Sequence, residues 1–118
     1  MAVYLLSEDL IFASPQLASQ EGLLAVGGDL SLERLKLAYR MGIFPWYSEG
    51  EPIMWWSPDP RLVLYPAELK VSKSLAKTIK KQLFEVTVDQ AFESVIKACA
   101  RSRTRRQEGT WIVNDMVA

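Results

Sequence analysis

The 118-residue sequence contains no histidine and a single cysteine, Cys99. The missing histidine removes the most common general base and the most common metal ligand. One cysteine excludes an internal disulfide, and its place in the apolar helical pattern AFESVIKACA predicts a buried, inert thiol rather than a nucleophile. Neither a Ser/His/Asp set nor a metal-ligand cluster is present, so the sequence displays almost no catalytic chemistry.

The sequence also contains no long hydrophobic run, and its N-terminus is a poor match to a secretory signal peptide. No apolar segment approaches the length of a transmembrane helix, and the N-terminal MAVYLLSEDLIFASP has acids but no basic start. Together with the single cysteine, these absences predict a reducing, cytoplasmic location without a membrane partner. Hydrophobic residues make up 49% of the chain, enough for a core without disulfides or metals.

The formal net charge is zero, but the charge is distributed unevenly along the chain. Residues 1–60 carry three basic and eight acidic side chains, whereas residues 61–118 carry eleven basic and six acidic ones. The asymmetry predicts that a polyanion contacts the second half. A change in composition near Pro58 and Pro60 favours an N-terminal module, residues 1–60, followed by a second α/β module, residues 61–118.

Hydrophobic periodicity and turn residues predict a fold that mixes helices and strands. Strands are expected at 3–6, 53–56, 61–65 and 84–88. Three helices are expected to begin with the caps Ser31, Ser72 and Asp89.

A fourth helix is expected to begin at Asn114 and Asp115. Because a single helical turn is not stable alone, we expect a longer protein to continue beyond Ala118.

The paired glycines Gly27 and Gly28 precede the first predicted helix. Such a pair can present backbone N–H groups to a phosphate. The P-loop lysine is missing, however, and Asp29 would repel an anion. The pattern therefore favours a structural turn.

Five lysines recur at short steps along the second predicted helix, and no acidic residue lies among them to pair with them. A solvated helix face and a phosphate-binding face both account for this pattern. A later run of arginines would extend the positive surface. The lysines are Lys70, Lys73, Lys77, Lys80 and Lys81, and the arginines are Arg101, Arg103, Arg105 and Arg106.

The stretch FPWYSEGEPIMWWSPDPR, residues 44–61, holds three of the four tryptophans and four of the six prolines. Packing in a core is one interpretation of these aromatic residues. Trp55 and Trp56 are adjacent in a predicted strand, however, and must point to opposite faces. Trp46 follows a proline in a turn-rich segment, which favours an aromatic shelf that stacks bases. Together with the lysines, the shelf predicts binding of the single-stranded end of an RNA.

The segments GLLAVGGDLS, AYRMGIFPWYSEGEPIMWWSPDPR and EGTWI closely resemble the N-terminal part of bacterial leucyl/phenylalanyl-tRNA–protein transferases. The resemblance covers nearly the whole chain but only about half of the family's usual length. It implies transfer of leucine or phenylalanine from a charged tRNA to the α-amino group of a protein that begins with Arg or Lys. That transfer marks the acceptor for degradation by the N-degron route. It proceeds by aminolysis of the tRNA ester and implies no metal or other cofactor.

The resemblance also implies a fold and a set of binding residues. A small N-terminal domain, 1–60, would precede the beginning of a GNAT-like acyltransferase domain, 61–118. Trp46 and Trp111 match tryptophans at the aminoacyl-adenosine pocket, whereas Trp55 and Trp56 are interpreted as packing where the two modules meet. Catalytic residues are expected beyond Ala118, so residues 1–118 alone should be inactive. The basic cluster that grips the tRNA acceptor stem matches Lys73, Lys77, Lys80 and Lys81.

Two other functions remain open at this stage. A non-catalytic RNA- or tRNA-binding module would keep the family's surface without its chemistry, and an in-frame continuation of the coding sequence would argue against it. An aromatic groove for Pro-rich peptides is the other possibility, but it would leave the lysine cluster without a purpose.

Overall fold

A computed structural model describes residues 3–104 and 112–118 of the chain. This part of the chain is mixed α/β, as the sequence predicts. Its strands are β1 (Tyr4–Leu6), β2 (Leu23–Gly27), β3 (Phe44–Pro45) and β4 (Met54–Trp56). Its helices are α1 (Leu32–Arg40), α2 (Lys73–Lys80), α3 (Phe92–Thr104) and α4 (Asn114–Val117), with 3₁₀ turns at Pro15–Leu17 and Pro66–Glu68.

The four strands form one mixed sheet in the order β1-β2-β4-β3. β1 runs parallel to β2, while β4 is antiparallel to both of its neighbours, β2 and β3. The predicted strands at 3–6 and 53–56 are therefore confirmed as β1 and β4. The short strand β3 places the start of the aromatic stretch at one edge of the sheet.

Helix α1 begins where its predicted cap requires. The side-chain oxygen of Ser31 accepts a hydrogen bond from the backbone N–H of Arg34, at 3.4 Å, and so satisfies a donor that the helix itself leaves unpaired. Beyond the helix end, Gly42 has a φ of +74°. That left-handed conformation favours glycine and turns the chain from α1 into β3.

The core lies between α1 and one face of the sheet. Trp55 is fully buried there, and the ring of Phe12 packs edge-on against it with centroids 5.1 Å apart. The indole Nε1 of Trp55 donates to the carbonyl of Gly27 at 2.9 Å, so its one polar group is satisfied. The other fully buried apolar residues of this cluster are Leu24, Ala25, Ala38 and Ile43.

A close backbone approach holds the segment after β4 against the sheet. The backbone N–H of Ser57 donates to the carbonyl of Gly22 at 2.7 Å. A Cβ atom at Gly22 would lie 2.7 Å from the Cα of Pro58, closer than real Cβ atoms come. Glycine is therefore required at residue 22, and the contact fixes the position of Pro58.

The residues beyond Pro60 form fewer strands and bury less side-chain surface than the sequence predicts. The predicted strands at 61–65 and 84–88 are wrong, because neither segment forms a strand in the described chain. Residues 84–88 alternate between apolar and polar, and residues 62–65 are all apolar, but a strand also needs a neighbour that accepts its backbone hydrogen bonds, and no described strand pairs with them. The side chain of Leu62 is 100% exposed.

The helices of this half are confirmed, with corrections at their ends. Ser72 caps α2, its side-chain oxygen accepting from the N–H of Leu75 at 3.2 Å. Asp89 does not cap α3, which begins only at Phe92, because Asp89 has a φ of +58° and reverses the chain instead. The arginine run begins within a helix, since residues 101–104 belong to α3.

The prediction that Cys99 is buried is wrong. Its thiol is exposed, as are the apolar residues of α3 that share its helical spacing, Phe92 and Val95. Helical spacing predicted one apolar face correctly, but no element among the described residues covers most of that face. The apolar side of α2, formed by Leu75 and Ile79, is exposed in the same way.

Candidate aromatic cleft and basic helix

The alternation of side chains along β3 and β4 separates the aromatic stretch into two faces. Phe44 and Trp46 are two residues apart and share a face, and Trp56 lies directly opposite Phe44 in the antiparallel pair. These three side chains, with Pro58, line an apolar cleft of about 280 Å³. Its size and apolar lining suit a flat ring system.

Trp46 lies in this cleft and is held by backbone contacts on both sides. Its N–H donates to the carbonyl of Met54 at 2.9 Å, and its carbonyl accepts from the indole Nε1 of Trp56 at 2.8 Å. Its side chain is 51% exposed, so it is not a core residue. The ring meets Phe44 edge-on, with centroids 6.5 Å apart and planes at 72°. One edge of the Trp46 indole is thus supported by Phe44, while half of its surface remains open.

The two adjacent tryptophans have different positions, as their place in a strand requires. Trp55 is wholly inside the core, whereas Trp56 lines the cleft on the opposite face. The interpretation that both pack where two modules meet is therefore wrong for Trp55, whose neighbours all precede residue 60. Trp56 instead becomes part of the candidate site through its wall position and its hydrogen bond to Trp46.

Sequence reasoning singled out Trp46 but missed three of its neighbours, Phe44, Trp56 and Pro58. The signal for Phe44 was present, since alternation from Trp46 puts Phe44 on the same face. The register that places Trp56 opposite Phe44 was not readable from the sequence. The second predicted pocket residue, Trp111, lies outside the described residues.

Arg61 lies at the edge of the cleft. Its guanidinium carbon is 5.5 Å from the centre of the Phe44 ring, within the range of a cation–π contact. Its Nη2 donates to the carbonyl of Gly42 at 2.7 Å, and the hydroxyl of Ser57 donates to the same carbonyl at 3.2 Å. These bonds tie the segment after β4 to the turn that precedes β3, so both walls of the cleft are joined.

Tyr47 turns away from the cleft and into the protein. Its side chain is 5% exposed, and its hydroxyl has no hydrogen-bond partner in the part of the chain that the structure describes. Burial raises the pKa of Tyr47 above its usual value, and the negative charge of Asp115 raises it further. The phenol therefore stays neutral at neutral pH.

The turn at Gly27 and Gly28 is structural, as predicted. Oδ1 of Asp29 accepts from the backbone N–H of Ser31 at 3.0 Å and from Nε of Arg34 at 3.3 Å. The carboxylate thus occupies the helix N-terminus that an anion would need. Arg34 is fully buried beneath this turn, and its Nη2 also donates to the carbonyl of Ser7 at 2.8 Å.

The predicted lysines are all exposed; four of them lie on α2 or at its C-cap, whereas Lys70 precedes the helix. The ion pairs found among the described residues join Arg34 to Asp29 and Lys97 to Glu93, so none of the α2 lysines takes part. In the described residues, α2 thus carries several lysines without carboxylate partners. This arrangement fits both a solvated helix face and a phosphate-binding face. The predicted members are Lys73, Lys77 and Lys80 within the helix and Lys81 at its C-cap.

Two family models match consecutive parts of the chain, and the first contains the residues that line the cleft. The model for the leucyl/phenylalanyl-tRNA protein transferase N-terminal domain matches residues 28–59, and the model for leucyl/phenylalanyl-tRNA protein transferase matches residues 63–118. The chain belongs to the leucyl/phenylalanyl-tRNA–protein transferase family. The resemblance inferred from the sequence motifs is therefore confirmed.

Curated members of the leucyl/phenylalanyl-tRNA–protein transferase family are similar along nearly the whole chain. The protein of that name from Syntrophobacter fumaroxidans is 62% identical over 117 residues, which is 99% of this chain and 50% of the relative. The Desulforapulum autotrophicum protein is 55% identical over 99% of this chain and 51% of its own length. The Flavobacterium johnsoniae protein is 52% identical over 98% of this chain and 54% of its own length. The chain thus spans about half the length of these relatives.

Two further features bear on partners of this family member. In the described residues, no helix is both long enough and apolar enough to cross a membrane. Over the same residues, Cys, Asp and Glu side chains do not gather in threes where they could hold a metal ion.

Proposed function

We propose that the aromatic cleft binds the 3′-terminal adenosine of leucyl- or phenylalanyl-tRNA. We also propose that the chain is part of an aminoacyltransferase. The acceptor is a protein with an N-terminal Arg or Lys, which the transfer directs to N-degron degradation in the cytoplasm. Family membership supports the reaction class. The single observation that supports this chain's own part in it is the half-exposed Trp46 in a cleft with Phe44 and Trp56.

A purine is a suitable occupant because its faces are flat and apolar while its edges are polar. Stacking of one base on an aromatic side chain contributes about 1–3 kcal/mol. Trp46 is positioned for this role before any ligand arrives, since the hydrogen bonds to Met54 and from Trp56 fix its backbone. A positioned ring loses little conformational freedom on binding, which favours affinity.

The reaction proposed for the family is the aminolysis of an ester. The α-amino nitrogen of the acceptor attacks the carbonyl carbon of the aminoacyl group, and a new C–N bond forms. The C–O bond to the terminal ribose then breaks, and the ribose oxygen leaves with a proton that originates from the amine. Holding the adenosine in the cleft places this ester at a defined point, and positioning of this kind supplies much of the rate enhancement of group transfer.

The lysines of α2 have a proposed role in binding the tRNA backbone. Exposed lysines without carboxylate partners attract phosphates and release counterions when they bind them, which makes affinity depend on salt. Lys73, Lys77, Lys80 and Lys81 would contact the acceptor stem, and Arg101 lies further along the same positively charged half. Such contacts read the backbone and carry no sequence information.

The remaining parts of the proposal follow from family resemblance. The division into an N-terminal domain, 1–60, and a GNAT-like portion, 61–118, agrees with the gap between the two matched family models. Catalytic groups and most of the amino-acid pocket are proposed to lie outside residues 1–118, and Trp111 is proposed to form part of the adenosine pocket. No cofactor is expected to take part.

Replacing Trp46 by Ala tests the cleft. Binding of a non-hydrolysable phenylalanyl-adenosine amide to the chain should weaken by at least about tenfold, which corresponds to ~1.4 kcal/mol. The melting temperature should stay near normal, because an exposed ring contributes little to the core. Tyr39→Ala is the matched control, since Tyr39 is an exposed aromatic residue of α1 outside the cleft. Unchanged binding in the Trp46 variant would reject the adenosine site.

A transfer assay tests whether the catalytic groups lie outside residues 1–118. The chain is incubated with labelled leucyl-tRNA and a peptide that begins with Arg, with the full-length Syntrophobacter fumaroxidans relative as the positive control. We expect binding of the tRNA but no transfer by residues 1–118 alone. Sustained transfer above the protein-free background would place the catalytic groups within this chain. The alternative, a non-catalytic tRNA-binding module, keeps the binding surface without the chemistry, and an in-frame continuation of the coding sequence would argue against it.

A further inference from the structure

Before its last residue, Arg61, the aromatic stretch carries no positive charge. No Lys or Arg occurs between Arg40 and Arg61, whereas Glu49, Glu51 and Asp59 are all acidic. The terminal adenosine of a tRNA is joined to the rest of the molecule through its 5′-phosphate. An occupant of the cleft thus brings an anion to a region whose own charges repel it.

Arg61 is the basic residue that the structure places beside the cleft. Its guanidinium lies over the Phe44 ring, 5.5 Å from the ring centre, and Phe44 is itself a wall of the cleft. One of its N–H groups donates to the carbonyl of Gly42, which fixes the orientation of the planar group. A guanidinium has five N–H donors in total, so one such bond leaves others for a ligand.

Among the described residues, no carboxylate forms an ion pair with Arg61. The ion pairs of the described residues involve Arg34 and Lys97 instead, and the Arg61 residue is exposed. An exposed guanidinium held at a fixed orientation on an aromatic ring is well suited to a phosphate, with which it forms charge-assisted, two-pronged hydrogen bonds.

We propose that Arg61 binds the phosphodiester on the 5′ side of the adenosine in the cleft. Arg61 is then a specificity residue, which distinguishes the end of a polynucleotide from a free nucleoside. This inference rests on the proposed function, because the phosphate reaches Arg61 only when the base stacks beside Trp46. The hydrogen bond to the Gly42 carbonyl supports this role, because it holds the exposed guanidinium at the rim of the cleft.

The test compares two ligands that differ only in the phosphate. Adenosine and adenosine 5′-methylphosphate are titrated against the 118-residue chain and its Arg61→Gln variant at low salt. The wild-type chain should bind the phosphodiester about three- to fivefold more tightly than adenosine, as expected for an exposed charge pair. Arg61→Gln should abolish this preference and leave adenosine binding within about twofold of wild type. Arg40→Gln, at the last residue of α1 and outside the cleft lining, should keep the full preference.

Each outcome decides a separate point. Equal preference for the phosphodiester in wild type and Arg61→Gln would overturn the inference while leaving the adenosine site in place. If Arg61→Gln weakens the binding of both ligands equally and lowers the melting temperature, Arg61 has only a structural role, and the inference is also overturned. If neither ligand binds the wild-type chain, the proposed function is rejected and the inference with it. Arg61→Lys should retain part of the preference, because it keeps the charge but loses the fork.

Discussion

The residues before Pro60 and those after it carry similar apolar patterns but pack very differently. Every residue that the structure places in the core precedes Pro60, and no described residue of 61–101 or 112–118 is buried. In the first region, β2 and β4 pair and cover α1. In the second, helices α2 and α3 form with their apolar sides exposed.

The difference shows what each kind of pattern needs in order to fold. A helix satisfies its backbone hydrogen bonds internally, so caps and spacing produce α2 and α3 even without a covering element. A strand takes its hydrogen bonds from a neighbour, so the alternating pattern at 84–88 remains irregular where no described strand lies alongside. The apolar segment at 53–56, by contrast, becomes β4 because β2 and β3 lie on either side.

The largest effect is expected at Trp55, the centre of the packed region. Trp55→Ala should lower the free energy of unfolding by about 3–5 kcal/mol, because a large buried ring leaves a cavity. Leu62→Ala, at a fully exposed residue of the other region, should change it by less than about 0.5 kcal/mol. Urea denaturation of both variants measures the contrast. Comparable losses would show that Leu62 is buried in solution and would break the comparison.

A smaller loss of stability is expected from Arg34, the buried charge of the packed region. Arg34→Met should lower the free energy of unfolding by about 2–3 kcal/mol, because the carbonyl of Ser7 loses a charge-assisted donor. Met keeps much of the apolar stem, so the change isolates the polar contacts. Arg40→Met, at the exposed end of the same helix, is the control and should be nearly neutral. An unaltered stability of Arg34→Met would mean that apolar packing replaces the hydrogen bonds fully.

Local signals in the sequence were sufficient for much of this architecture. Ser31 and Ser72 cap their helices as predicted, because capping depends on residues within one turn. Adjacency in a strand likewise predicted that Trp55 and Trp56 face opposite ways. The failures at 61–65, at 84–88 and at Cys99 share one cause, since strand pairing and burial depend on residues distant in the sequence.

The candidate site was predictable to the same extent. Trp46 stood out because of its turn-rich surroundings, but the wall formed by Trp56 and Pro58 depends on register and on the close approach at Gly22. The position of Arg61 over Phe44 was equally hidden, because the two residues are brought together by the contacts with Gly42.

The exposed region should contribute more than the packed region to tRNA affinity. Replacing Lys77 and Lys81 by Ala should weaken tRNA binding several-fold and reduce the slope of log K against log salt by about one unit for each phosphate that the variant no longer binds. The control is Lys36→Ala, an exposed lysine of α1 in the acidic, packed region, which should leave the slope unchanged. Binding is measured by titration at several salt concentrations. Identical slopes for both variants and the wild type would show that the α2 lysines form an ordinary solvated face and do not bind phosphates.

The smallest effect is expected at Asp29, which lies at the surface of the packed region. Hydrogen bonds from Ser31, first from its side chain and then from its backbone, together with the Arg34 guanidinium, hold the pKa of Asp29 below its usual value. A carboxyl whose folded-state pKa is lowered stabilises the fold at pH values above its unfolded pKa of about 3.9. That contribution is lost as the pH falls below about 3.9 and through the lowered, folded-state pKa. The carbon-13 shift of the Asp29 carboxyl, followed by NMR, gives the pKa directly.

Comparison of the wild type with Asp29→Asn isolates this contribution from those of the other carboxyl groups. The stability advantage of the wild type over the variant should be largest near neutral pH and should shrink as the solution is acidified below about pH 3.9. The advantage is small because the Asp29 side chain is 58% exposed, and water screens its attraction to Arg34. Salt should reduce it further. An Asp29 pKa at or above that of an unstructured peptide would contradict the hydrogen bonding described for the Gly28 turn, and Arg34 would then be held by the carbonyls of Ser7 and Asp9 alone.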